Sequence, residues 1–146
     1  MTDTPRLPGL TLADADQLVR TALDVGAERG FAPLAVAVID VAGEVIALRR
    51  ADGGMPLTSR MAVAKARTAL RALKPSGLTD KLPPGIIAGL QHLNSGDFVP
   101  RAGGILVTEG GVIVGAAGAS GAQSDEDEAA VQAAVDRWHT NRGSTA

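Results

Sequence analysis

Lys65 and Thr68 stand three residues apart in the stretch Ser59–Leu73, a spacing that makes them neighbours on a helix. A lysine among small apolar residues can bind a carboxylate or, once desolvated, act as a nucleophile or base. The same placement also suits an ion pair between subunits or a stem laid along apolar neighbours with its head in water. Two acids are candidates to move a proton beside it. Asp127 lies in the run Asp125-Glu126-Asp127-Glu128, and Asp40 ends an apolar stretch. Acids in a first helical turn complement the dipole by about 0.3–1 kcal/mol each and need no ligand. Asp127 differs from its neighbours because it precedes Val131 by four residues and shares the side that points inward. Lys65, Asp127 and Asp40 are therefore the candidate catalytic residues. Lys65 would stabilise a developing oxyanion while an acid moves a proton, as in isomerase or lyase chemistry without a redox thiol. Thr68, His92 and the backbone of Gly103-Gly104 are the candidate ligand contacts.

Other chemistries are excluded by what the chain lacks. With no cysteine there is no thiolate nucleophile and no thiolate metal site, and two histidines are too few for a multi-histidine centre, so no metal site is expected. His139 falls at a helix C-terminus, where the dipole favours it, and reads as structural; His92, in an irregular segment, is the one open to a ligand. Gly115–Gly121 has the look of a phosphate loop but lacks the Gly-Lys-Ser/Thr ending, and no strand and acid of a dinucleotide fold follow it. The four acids after it occupy the place where phosphate needs bare amides. The glycine run reads instead as close packing of a strand on a helix.

These residues need elements to hold them. Thr11 caps a first helix over about Leu12–Arg29, with Asp14 completing a capping box and Gly30 as the stop. Pro33 opens a buried strand, Leu34–Asp40, which turns at Asp40-Val41-Ala42-Gly43 and returns over Glu44–Arg50. Thr58 or Ser59 caps the second helix, Ser59–Leu73. On it Ala62, Val63, Ala66, Ala69, Leu70 and Leu73 form an apolar face and Arg60, Arg67 and Arg71 a solvent face. Met61, Lys65, Thr68 and Ala72 make a third, small-residue face. Prolines break the region Pro75–Asp97, and periodicity leaves Ile86–Leu93 open between helix and strand. Ile105–Thr108 and Val112–Ala119 form a second hairpin. The last helix starts with Ser124 as N-cap and Asp127 at its third position, with Val131, Ala134, Val135 and Trp138 as its apolar stripe. Helices separating antiparallel hairpins favour an α+β sheet covered by helices.

Length and composition agree with this plan. The 146 residues fit one domain, here residues 10–140 between a flexible arm, 1–9, and a tail, 141–146. A net charge of −2 offers no field for nucleic acid, and with two Phe, one Trp and no Tyr there is no platform for stacking bases. No apolar run approaches the roughly 20 residues of a membrane span, and no signal peptide opens the chain, so a cytoplasmic protein without a membrane partner is expected. An apolar surplus in so small a chain leaves room for a subunit interface.

Taken in order, the motifs resemble the GlcG/HbpS-like, or heme-degrading-domain, family. The resemblance rests on Leu10-Thr11-Leu12-Ala13-Asp14-Ala15, on the Ala35–Gly43 hairpin and on Ala62-Val63-Ala64-Lys65-Ala66-Arg67-Thr68-Ala69. It continues through Phe98-Val99-Pro100, Gly103-Gly104 and the ending Gly115, Gly118, Ser120, Gly121, Asp127 and Glu128. It implies a profilin-like α/β/α sandwich with an antiparallel sheet of about five strands, and assembly into homo-oligomers. It also implies heme as the one cofactor, with Thr68 placed for an iron or propionate contact and Lys65 for propionate pairing. Against heme stands a side-chain inventory poor in large apolar groups and axial ligands. Three functions follow as expectations: a homo-oligomeric protein binding or converting a small carboxylate or carbonyl metabolite, a heme-binding or heme-degrading protein, and a non-catalytic structural oligomer.

Overall fold

The computed structural model describes residues 4–143. The elements run α1 (Leu12–Glu28), β1 (Ala35–Ile39), β2 (Val45–Arg50), α2 (Thr58–Ala72), a 3-10 turn (Ser76–Lys81), α3 (Pro84–Leu93), β3 (Gly104–Glu109), β4 (Val112–Ser120) and α4 (Ser124–Asn141). The four strands form one sheet in the order β2-β1-β4-β3, antiparallel at every pairing. The fold is thus the expected α+β sandwich, with four strands where about five were expected. Ile86–Leu93, the segment left open, is helical: Pro84 takes the first helical position, where its missing N–H costs nothing.

Alternation along the strands sorts the two faces. Val36 and Val38 of β1, Ile105 and Val107 of β3, and Ala117 and Ala119 of β4 join Leu18, Val19, Val131 and Trp138 in the main core under α1 and α4. Ala35, Ala37 and Ile39 point the other way, against Ala62, Val63 and Ala66 of α2. With helices on both sides, every residue of β1 is buried, as its unbroken apolar run requires.

The α2 face is built from alanine and glycine, and the reason is proximity. A Cβ on Gly118 would collide with the Ala62 carbonyl oxygen, and one on Gly104 with that of Lys65. The glycine run Gly115–Gly121 lies in and just after β4; only Gly118 serves the helix packing read from its sequence, while a Cβ on Gly115 would meet the Ile39 carbonyl of β1 and one on Gly121 the Pro33 carbonyl.

Helix ends follow the sequence signals at α1 and depart from them elsewhere. Thr11 and Asp14 form the expected capping box. At α2 neither Thr58 nor Ser59 caps: the N-cap is Leu57, and the Thr58 hydroxyl donates to the Met55 carbonyl at 2.6 Å. Leu73, expected on the apolar face, is the left-handed C-cap and is 65% exposed. At α4 the box is formed one residue early, by Gln123 and Glu126 rather than Ser124 and Asp127. The expected terminal arm and tail fall partly on residues 1–3 and 144–146, outside the described residues.

Candidate functional site

The one-residue shift at α4 releases Asp127 from capping and turns it inward. Its Oδ2 accepts from the Lys65 Nζ at 3.0 Å, and its Oδ1 accepts from the Ala122 amide at 3.0 Å. Lys65 is 2% exposed and Asp127 1%. Burial pushes the Asp127 carboxyl above the usual carboxylate range, against the Ala122 N–H and the Lys65 ammonium, which favour its charge. Two glycines make room for the lysine. A Cβ on Gly103, which sits at φ +136°, would lie 2.7 Å from Lys65 Cδ and 3.0 Å from Nζ. Gly103 is therefore the bed on which the Lys65 stem lies, Gly104 admits the Lys65 backbone, and the Gly104 amide is already taken by Ser76 Oγ at 2.9 Å. Ser76, in the segment read only as irregular, is the polar residue sequence reasoning missed: its hydroxyl also donates to the Arg101 carbonyl at 2.5 Å.

Thr68 is one turn along from Lys65 and fully buried. Its hydroxyl donates to the Ala64 carbonyl at 2.8 Å and accepts from the Val99 amide at 2.9 Å, so it pins Phe98-Val99-Pro100 to α2. The remaining candidates lie elsewhere. Asp40 Oδ1 accepts from the Ala42 and Glu44 amides at 2.9 and 3.0 Å, which shapes the first hairpin turn. It follows Ile39, the strand position paired with Ala116, whereas the Lys65 stem lies at the Gly103–Ala119 level. That separation is four strand steps, or about 13 Å. His92 is exposed on α3. His139 Nε2 meets the Thr108 carbonyl at 2.6 Å and ties α4 to β3. The arginine face of α2 is only partly wet. Arg60 and Arg71 are exposed, but Arg67 donates to the Gly43 carbonyl at 2.8 Å and to Asp97 at 3.0 Å.

A groove of roughly 860 Å³, lined by neither Lys65 nor Asp127, opens beside α2, α3 and the start of α4. Met61 of α2, Ala102 beside Gly103, and Ser124 and Asp125 of α4 line it, each preceding in sequence a residue that forms or beds the pair. Ile87 and Gln91 of α3 line it too, with Asp80, Phe98, Val99 and Arg101. Apolar residues, one arginine and two acids, Asp80 and Asp125, line it, so a small ligand with one anionic or carbonyl end is accommodated with that end at Arg101. Among the described residues no cluster of three or more His, Cys, Asp or Glu is placed to hold a metal, and no helix is long and apolar enough to cross a membrane.

The family model described as "Haem degrading protein HbpS-like" matches residues 10–136. The corrinoid adenosyltransferase PduO of Salmonella typhimurium is 30% identical over 86% of this chain, which spans 38% of that longer protein. Among solved structures, HbpS superposes with a TM-score of 0.80 at 28% identity, covering 92% of this chain and 94% of that one. The PduOC:heme complex superposes with a TM-score of 0.79 at 27% identity, covering 88% of this chain and 94% of its own.

Proposed function

Because the chain belongs to the HbpS-like family, whose model spans residues 10–136, we propose that it is a homo-oligomeric small-molecule-binding protein. Its ligand, a small carboxylate or carbonyl compound, lies in the groove beside α2, α3 and the start of α4. One observation carries this reading: Met61, Ala102 and Asp125, close in sequence to Lys65, Gly103 and Asp127, line that groove. Arg101 meets the anionic end, and Phe98 and Val99, held by Thr68, form the apolar wall. Any turnover here falls to Asp127 and Lys65. A carboxylate whose proton affinity is raised by burial is the better general base, and the ammonium stabilises an oxyanion. At 2% and 1% exposure the pair reaches a ligand only when the structure around it opens.

Heme binding is the second reading, supported by the heme complex of the PduO relative. Met61, Ile87, Phe98 and Val99 would face the body of a porphyrin and Arg101 a propionate. Heme iron takes His, Cys, Met or Tyr as axial ligand. The groove offers the Met61 thioether alone, neither histidine lines it, and the chain has no Cys or Tyr. Within one chain these residues do not fit an iron-centred reaction. Homo-oligomerisation is supported by the apolar edge of the sheet, where Val45 and Leu48 of β2 are 42% and 39% exposed beside α2. It also leaves room for the third reading, a structural oligomer without a ligand.

A titration separates the readings. C2–C4 hydroxy acids and aldehydes are added while thermal stability is followed, and hemin while the Soret band is followed, with wild type, Arg101→Ala and Lys65→Ala. Stabilisation by a small acid that Arg101→Ala abolishes supports the first reading. A saturable Soret shift without any small-acid response supports the second. Binding that both variants leave unchanged removes the groove as the site, and a Leu48→Asp protein of unchanged mass in light scattering removes the β2 edge as the interface.

A further inference from the structure

A second cavity, half open and of roughly 190 Å³, lies between the end of α2, the 3-10 turn and α3, with Phe98 in its lining. Its apolar lining is Leu82, Leu90 and Phe98, its cations are Arg71 and Lys74, and Thr79 and Asn94 are its neutral polar residues. No acid is among the residues that line it, unlike the main groove, which holds Asp80 and Asp125. Arg71 is partly engaged by Asp97 at 3.5 Å, but among the described residues no carboxylate lies within ion-pair distance of Lys74. Both cations sit at the C-terminal end of α2, where they complement its dipole, and that role alone would leave the apolar chamber without a purpose.

We propose that this chamber is a second binding site, for a short aliphatic monocarboxylate. The alkyl chain packs on Leu82, Leu90 and Phe98, and the carboxylate meets Lys74 with Arg71 beside it. The size follows from the volume: at about 30 Å³ per water-sized group the chamber holds about six such groups, a chain of about four to six carbons. A phosphate or a dicarboxylate does not suit it, because beyond Arg71 and Lys74 the polar lining is Thr79 and Asn94, whose side chains already donate to the Ser76 and Leu90 carbonyls.

Sodium hexanoate is the probe, with hexan-1-ol and acetate as controls, followed by methyl NMR of the full chain. Saturable shifts of the Leu82 and Leu90 methyls are expected with hexanoate, and shifts of the Met61 and Ile87 methyls in the main groove are not. Lys74→Glu, a substitution at an exposed position, weakens hexanoate by about tenfold, and Leu90→Phe, which fills the chamber, abolishes the shifts. Equal affinity for hexan-1-ol, or a Lys74→Glu protein that binds hexanoate as wild type does, overturns the site. Shifts confined to Met61 and Ile87 overturn it too, while leaving the groove reading intact.

Discussion

The Lys65 ammonium and the Asp127 carboxylate, 62 positions apart in sequence, meet at 3.0 Å in a part of the fold closed to solvent. They join α2 to the start of α4 across the end of the sheet. Charges so deeply buried are strongly destabilising when one partner is removed, because the other is left unpaired, whereas replacing both with apolar groups is often mild.

Lys65→Met and Asp127→Leu are each expected to cost about 3–5 kcal/mol at pH 7, and the double variant less than the sum of the two. Urea unfolding of all four proteins provides the measurement. Additive losses would show that the two groups are not coupled, and would leave α2 and α4 held by packing alone.

Thr68→Val keeps the shape of the side chain and removes the acceptor of the Val99 amide. A buried amide left unpaired costs about 1–3 kcal/mol. The groove wall at Phe98–Pro100 should loosen, seen as faster amide exchange at Val99 with α2 otherwise unchanged. Unaltered exchange at Val99 would mean that the loop is held without Thr68.

How much of this was legible in the sequence varies with the range of the cause. Thr11 and Asp14 are three residues apart, and their capping box was readable because both partners are local. The start of α4 was not: Gln123-Ser124-Asp125-Glu126 and Ser124-Asp125-Glu126-Asp127 both satisfy a cap, and the pull of Lys65 on Asp127 belongs to the tertiary fold. The same limit applied to Gly103-Gly104. Their sequence suggests an open backbone cradle, but the Lys65 stem and the Ser76 hydroxyl occupy it, and neither contact has a local signature. Asp40 sits where a turn needs an Asx residue, and that use of the carboxylate was open to the same sequence.

Glycines separate along the same line. Gly104→Ala and Gly118→Ala force a methyl into the α2 backbone, which cannot give way, and should leave little folded protein by circular dichroism. Gly89→Ala, inside α3 with nothing near its Cβ, should instead stabilise by about 0.5–1 kcal/mol through helix propensity. A Gly118→Ala protein as stable as wild type would contradict the close approach of α2 to β4.

The opposite end of the molecule gives a pH-dependent test. Asp14 Oδ1 accepts from the Trp138 indole at 3.2 Å and from Arg142 at 3.2 Å, while its Oδ2 accepts from the Thr11 amide. Burial opposes its ionisation, but the Thr11 and Trp138 hydrogen bonds and the Arg142 charge outweigh it and hold the carboxyl below the usual range. A carboxylate whose folded-state pKa is depressed binds fewer protons folded than unfolded. Its stabilisation is therefore complete above the unfolded value of about 3.9 and is lost as pH falls through the folded value. Asp14→Asn should be less stable than wild type by a constant amount between about pH 5 and 7, with the gap narrowing below about pH 4. Because Arg142 contributes by charge and is partly exposed, added salt should shrink part of the gap, whereas the share from the Thr11 amide and the indole persists. Urea unfolding of both proteins from pH 3 to 7 reads this directly, and a gap that widens toward low pH would place the protonated carboxyl, rather than the charged one, in the native structure.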